Sequence, residues 1–125
     1  MIRWALTLLS LLSAEQNIIW LTYGSITDSA AEYYDVDTYW VLNVFPALGG
    51  FIYLPMAVIT SWAVDRLSIV LVIKIGAVVI ASAACLRLVG SFEAVLVAQC
   101  LNAMTGPIVM SSPPRLRSEA QHVTL

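Results

Sequence analysis

YWVLNVFPALGGFIYLPMAVITSWAV, residues 39–64, runs from Tyr39 to Val64 without one charged side chain. Coiled as an α-helix at ~1.5 Å per residue it is about 39 Å long, more than the ~30 Å of a bilayer's hydrocarbon core. It lacks strict two-residue alternation, so it reads as a helix rather than a barrel strand. Gly49 and Gly50 stand in its middle, where they let a neighbouring backbone come close. Pro46 and Pro55 each remove a backbone hydrogen bond and can kink the helix. Interrupted helices of this kind often surround a transport pathway, although they also occur as plain packing features.

Three further stretches resemble it. Residues 2–26 are apolar apart from Arg3 and the polar run Glu15, Gln16 and Asn17. Residues 68–89 carry only Lys74 and Arg87, and residues 94–112 carry no charge. The expected fold class is therefore an all-α membrane protein with four transmembrane helices, joined by loops at 27–38, 65–67 and 90–93. The first helix is expected to stay with the chain, because its apolar stretch is too long for a signal peptide's core. Composition agrees: 60% of the 125 residues are hydrophobic and 11% charged, against roughly 45–50% and about 25% in soluble domains. A soluble chain this short would need more polar residues to cover its surface.

Charge placement orients the bundle. With the N-terminus cytoplasmic, Arg3, Arg66, Arg115 and Arg117 all face the cytosol, and the first external loop holds Asp28, Glu32, Asp35 and Asp37 with no basic residue. Tyr33, Tyr34, Tyr39 and Trp40 would form an aromatic belt at the outer surface, and Trp4 and Trp62 one at the inner. Asp37 or Thr38 can cap the second helix. Residues 115–125 read as a polar cytosolic tail.

Polar groups at membrane depth are costly and commonly functional. At 100° per residue, Ser13, Gln16, Trp20, Tyr23 and Thr27 share one face of the first helix. That face either lines a wet cavity, with Trp20 stacking on a planar or cationic solute, or only bonds neighbouring helices. Gln99 and Asn102 are candidates for the opposite wall. Glu15, about 100° round from Gln16, either carries a proton or pairs with another helix. Lys74 can snorkel to the interface. Arg87 can meet Glu93 or the acidic first loop, or close a cavity. Small residues four apart, Ala98 and Gly106 flanking Asn102, suit close helix packing.

Other classes are set aside. No basic patch or nucleic-acid motif occurs, so no nucleic acid is expected as a partner. Cys85 and Cys100 lie inside apolar runs without a CxxC pattern, and His122 has no ligand set around it, so neither a metal nor a cofactor is expected. Intramembrane proteases need a Ser–His pair, paired aspartates or a metal motif; Glu15 is the one embedded acid and no histidine is embedded, so the chain is not expected to be an enzyme.

Asp65-Arg66, before a very short turn, resembles the loop G-x-x-x-D-[RK]-x-G-[RK]-[RK] of the major facilitator superfamily between helices two and three. Here Ser61 and Ser68 stand at or near the glycine positions, and Ile69 and Val70 where basic residues are usual. Two longer stretches are more specific. WLTYGSITDSAA, from Trp20 to Ala31, resembles the end of helix one in solute carrier family 49. QCLNAMTGPIVM, from Gln99 to Met110, resembles helix four of that family's branch called disrupted in renal carcinoma protein 2, and Arg87 also fits that branch. The resemblance covers about residues 3–113 and ceases after about Pro114.

The resemblance implies a twelve-helix transporter of two six-helix halves, of which residues 1–114 are the first four transmembrane helices of a major-facilitator-type bundle. It implies transport of a small organic solute by alternating access: choline-like amines in one branch, and vitamin B6 forms in this one, with proton coupling at lysosomal membranes. Trp20 would contact substrate and Gln16 stand one turn before it. The helix-four glutamine of the choline branch falls at Gly106. Asp65 and Arg66 would gate the inner side. Glu15, the candidate for proton coupling from its depth in the membrane, does not stand at a position of the family pattern. The expected partners are the solute, membrane lipid, and either the missing C-terminal helices or another membrane protein; the expected membrane is lysosomal or plasma. The competing expectation is a non-transporting four-helix membrane protein that binds or modulates a partner.

Overall fold

A computed structural model of the chain describes residues 2–123. Among these residues every regular element is helical: α1 (Ile2–Ser25), α2 (Thr27–Tyr34), a π-helical turn (Trp40–Val44), α3 (Phe45–Arg66), α4 (Ile69–Arg87) and α5 (Phe92–Val123). Three helices are long and apolar enough to cross a membrane, Trp40–Arg66, Ile69–Arg87 and Phe92–His122. α1, 24 residues, is long enough at about 36 Å, but Glu15, Gln16 and Asn17 make it less apolar. The chain is thus an all-α protein built to cross a membrane several times.

The breaks between helices follow from local chemistry. α2 ends on Asp35, which takes the left-handed conformation (φ 52°). Its N–H donates to Glu32 O at 3.3 Å, and that of Val36 donates to Ala31 O at 3.0 Å, closing the last turn. The expected loop at 27–38 therefore contains a helix. Asp37 acts as the expected cap: its Oδ1 accepts the Tyr39 N–H at 2.9 Å. The π turn follows from Pro46, which has no N–H to give to Leu42 and crowds that carbonyl; widening the preceding turn relieves the clash. Gly90, at φ 74°, reverses the chain between α4 and α5. Ser91 Oγ accepts the Ala94 N–H there at 3.3 Å.

α5 differs most from expectation. It was expected to stop at residue 112, yet it continues through Pro113 and Pro114 to Val123. The segment expected as an irregular tail is helical over its described part. Residues 124–125 lie outside the described residues. Two features hold the extension. Leu116 is buried in the main core beside Val64 and Val109, and Arg115 reaches Asp65 of α3 at 3.9 Å. The Ser111 and Ser112 hydroxyls donate to Pro107 O and Ile108 O at 2.6 and 2.5 Å, which partners carbonyls in the turn that leads into the proline pair.

α5 is the centre of the bundle, packed by α4, α3 and α1. Half of its most apolar window is buried, against 11% of that of α3. The outward face of α3 carries Phe51, Leu54, Val58 and Trp62, all more than half exposed. A continuous apolar stripe of that kind suits lipid or another helix rather than water. One apolar core lies along α1, α3, α4 and α5. A second, aromatic core of Tyr23, Phe45, Phe92 and Tyr34 closes the end where α1 meets α2.

Candidate functional site

The site is built on α1. Its hydroxyls and amides mostly bond their own helix: Ser13 Oγ donates to Leu9 O at 2.9 Å, and Asn17 Nδ2 donates to Ser13 O at 2.7 Å. These bonds satisfy donors without reaching a neighbouring helix. Gln16 and Trp20, one turn apart, then face a cavity of about 480 Å³ between α1, α3 and α5. Gln16 and Asn17 give the α1 wall its amides, while Gly49, Gly50 and Tyr53 form the α3 wall. α5 adds Ala103, Gly106, Val109 and Met110. The cavity is open on one side, and its volume lies within the range of small-molecule sites. No charged side chain lines it.

Two glycines set the positions of the two α1 side chains. A Cβ on Gly49 would overlap the far edge of the Trp20 indole, so the ring lies directly on the α3 backbone. A Cβ on Gly106 would come within 3.0 Å of Gln16 Nε2 and 3.1 Å of the Tyr53 ring. Each glycine thus provides the space that lets one cavity residue lie where it does.

The other expected site residues divide between two places. Tyr23, on the same face as Gln16 and Trp20 but higher, is taken up by the aromatic core. It meets Phe45 edge-on at 5.2 Å between centroids, and its hydroxyl lies 3.4 Å from that of Tyr34. Gln99 does not line the main cavity. It faces a second, smaller space of about 60 Å³ whose walls include Trp20, Tyr23 and Phe45, and its Oε1 accepts from Arg87 Nη2 at 2.6 Å. Gln99 lies two turns before Gly106 on α5, and Trp20 lines both spaces. Asn102 is fully buried, lines neither space, and neither its Nδ2 nor its Oδ1 has a hydrogen-bond partner.

Glu15 is half-buried and does not line either space, and Lys74 is exposed on α4. Arg87 makes no ion pair with Glu93 or the acidic residues at 28–37; it turns inward instead. Asp65 and Arg66 are exposed at the α3–α4 turn. Asp65 engages the α5 extension through Arg115, a contact that could not be read from a segment taken to be a free tail. Cys85 and Cys100 are free thiols.

Sequence reasoning missed Tyr53. Its signal was present: it stands four residues after Gly49, so a helix that presents Gly49 to the indole presents Tyr53 one turn further along the same wall. Comparison of the chain with protein-family models, with curated proteins and with solved structures gives no match.

Proposed function

We propose that this chain forms part of the solute path of a membrane transporter of the major facilitator type, moving a small organic, vitamin B6-like molecule by alternating access. The supporting observation is the cavity on α1. An uncharged space of about 480 Å³, with an indole, a phenol and amide groups on its walls, lies among apolar helices. Plain helix packing would fill such a space with aliphatic side chains. An indole and a phenol give flat surfaces for a planar ring, and Gln16 and Asn17 offer hydrogen bonds to its polar substituents.

The open side of the cavity needs further helices to seal it from lipid. In this reading they come from the remainder of a major-facilitator bundle or from a partner membrane protein. Solute sites in such transporters lie between two halves near the membrane's midplane, which suits a cavity halfway along α1.

The test is pyridoxine binding to the chain in lipid nanodiscs, followed by uptake in cells that express it together with the helices that close the cavity. Trp20→Ala is expected to weaken binding at least tenfold and to lower uptake in proportion. Equal binding and uptake by Trp20→Ala at equal membrane abundance removes Trp20 from the site and the cavity from the mechanism.

A further inference from the structure

Arg87 is the last residue of α4, where a cation would ordinarily reach out to the interface. A helical side chain leans toward its own helix's N-terminus, and for the C-terminal residue of a spanning helix that direction is inward. Its guanidinium accordingly reaches the Ile19 carbonyl on α1, with Nη1 and Nη2 both at 3.4 Å. Nη2 also donates to Gln99 Oε1 at 2.6 Å. The guanidinium carbon lies 5.1 Å from the centre of the Tyr23 ring. Ile19 is about 9 Å along the axis from the end of α1 at Ser25, so the charge sits below the end of the bundle. An arginine that snorkels outward would move away from Ile19.

Everything this cation touches is neutral: a carbonyl, a carboxamide and an aromatic face. Among the described residues no carboxylate lies within 4.0 Å of it. Its Nε is buried with no hydrogen-bond partner. Asp28, Glu32, Asp35, Asp37 and Glu93 are all exposed at that end of the bundle. Charged groups at membrane depth normally pair, and those that do not tend to mark solute or ion pathways. A neutral amide and a ring face offset part of the cost of burying a cation without neutralising it.

Arg87 itself lines neither space, but the smaller one reaches its partners. Trp20 lines both the main cavity and the 60 Å³ space, and the far wall of the latter holds Tyr23 and Gln99, the two side chains that hold the guanidinium. A ring lying on Trp20 could place one small substituent in the inner space, which has room for about the volume of one or two waters.

We infer that Arg87 binds an anionic end of the solute, so that among planar ring molecules of this size the site prefers one with a carboxylate over neutral ones such as pyridoxine. This rests on the reading of the main cavity as a solute site. Nicotinate and nicotinamide share one ring and differ by a carboxylate against a neutral amide, so the pair isolates the charge. Their dissociation constants are measured by saturation-transfer NMR on the whole chain in phosphatidylcholine nanodiscs at neutral pH. Nicotinate is expected to bind at least tenfold more tightly than nicotinamide. Arg87→Gln is expected to bring that ratio to about one, and Arg87→Lys to retain part of it, because lysine keeps the charge but loses the planar fork.

Gln99→Glu provides a second route should Arg87→Gln fail to fold. It sets a carboxylate of the same shape against Nη2, pairs the guanidinium internally, and is expected to abolish the preference while the helical circular dichroism is kept. A ratio near one in the native chain, or a preference that survives both Arg87→Gln and Gln99→Glu, overturns the assignment. The cavity reading survives that result if Trp20→Ala still weakens nicotinamide. If neither probe nor pyridoxine binds the native chain, both readings fall together.

Discussion

At the scale of single residues, position depends on what the neighbouring helix leaves empty. Trp20 owes its place to the missing side chain at Gly49. Gly49→Ala puts a methyl where the indole edge lies, and the stiff ring cannot bend away; it must swing as a unit toward the open cavity. The expected cost is about 1–3 kcal/mol, the usual range for overpacking, read as a lower midpoint of thermal unfolding in detergent. Tryptophan emission should shift to longer wavelength as the ring leaves its slot. Gly106→Ala meets Gln16 and the Tyr53 ring only at about 3 Å, against outright overlap at Gly49, and should cost less, so a larger loss there than at Gly49 would contradict the packing described. The α1 stripe of Gln16 and Trp20 was legible in the sequence because both lie on one helix, and helical periodicity alone sets them on one face. The places of Gln99, Asn102 and Arg87 were not, because they depend on which side of Trp20 each ends up. That is decided by packing between segments far apart in the chain, for which a single sequence carries no signal.

At the scale of elements, the long apolar runs announced α3, α4 and the first part of α5, since a run of that length without charge has one stable form in lipid. The ends were less legible. Consecutive prolines read as a stop, and the polar residues after Pro114 read as a tail, yet α5 continues to Val123, about three turns further, with a buried leucine and an ion pair along it. The Asp65–Arg115 pair tests how much of that extension is electrostatic. Its carboxylate is 72% exposed and its guanidinium 44%, and such pairs contribute about 0.2–1 kcal/mol and are screened by salt. Asp65→Ala is therefore expected to lower stability by less than about 1 kcal/mol, with the difference vanishing in 1 M salt, roughly a 3 Å Debye length. A larger loss that persists in salt would show that Asp65 holds the α3–α4 turn by some other means. A small loss of stability joined to a large change in uptake is what a gate between α3 and α5 predicts.

At the scale of the whole molecule, α1 is expected to cross the membrane with the other three. Composition argues against it, since Glu15, Gln16 and Asn17 interrupt its apolar run. Packing argues for it. α1 lies along α5, its Ala5, Leu9, Leu12 and Ile19 are in the core, and Gln16 is 8% exposed against the bundle. Gln16 is buried on the cavity wall, so its polarity is spent inside the protein, while Asn17 is exposed at the cavity's rim and bonds its own helix. A helix of 24 residues, about 36 Å long, that follows α5 through the bilayer must cross where α5 crosses. Four crossings return the chain to the side on which it began, and three do not. With Cys85 and Cys100 replaced by serine, single cysteines at Arg3 and Arg117 are expected to react with an impermeant maleimide from the same side. From the Lys and Arg distribution that side is expected to be the cytosolic one. A cysteine at Asp35 is expected to react from the opposite side. Labelling of positions 3 and 117 from opposite faces would place α1 along the surface, leave Gln16 and Trp20 outside the spanning bundle, and remove the wall on which the proposed solute site depends.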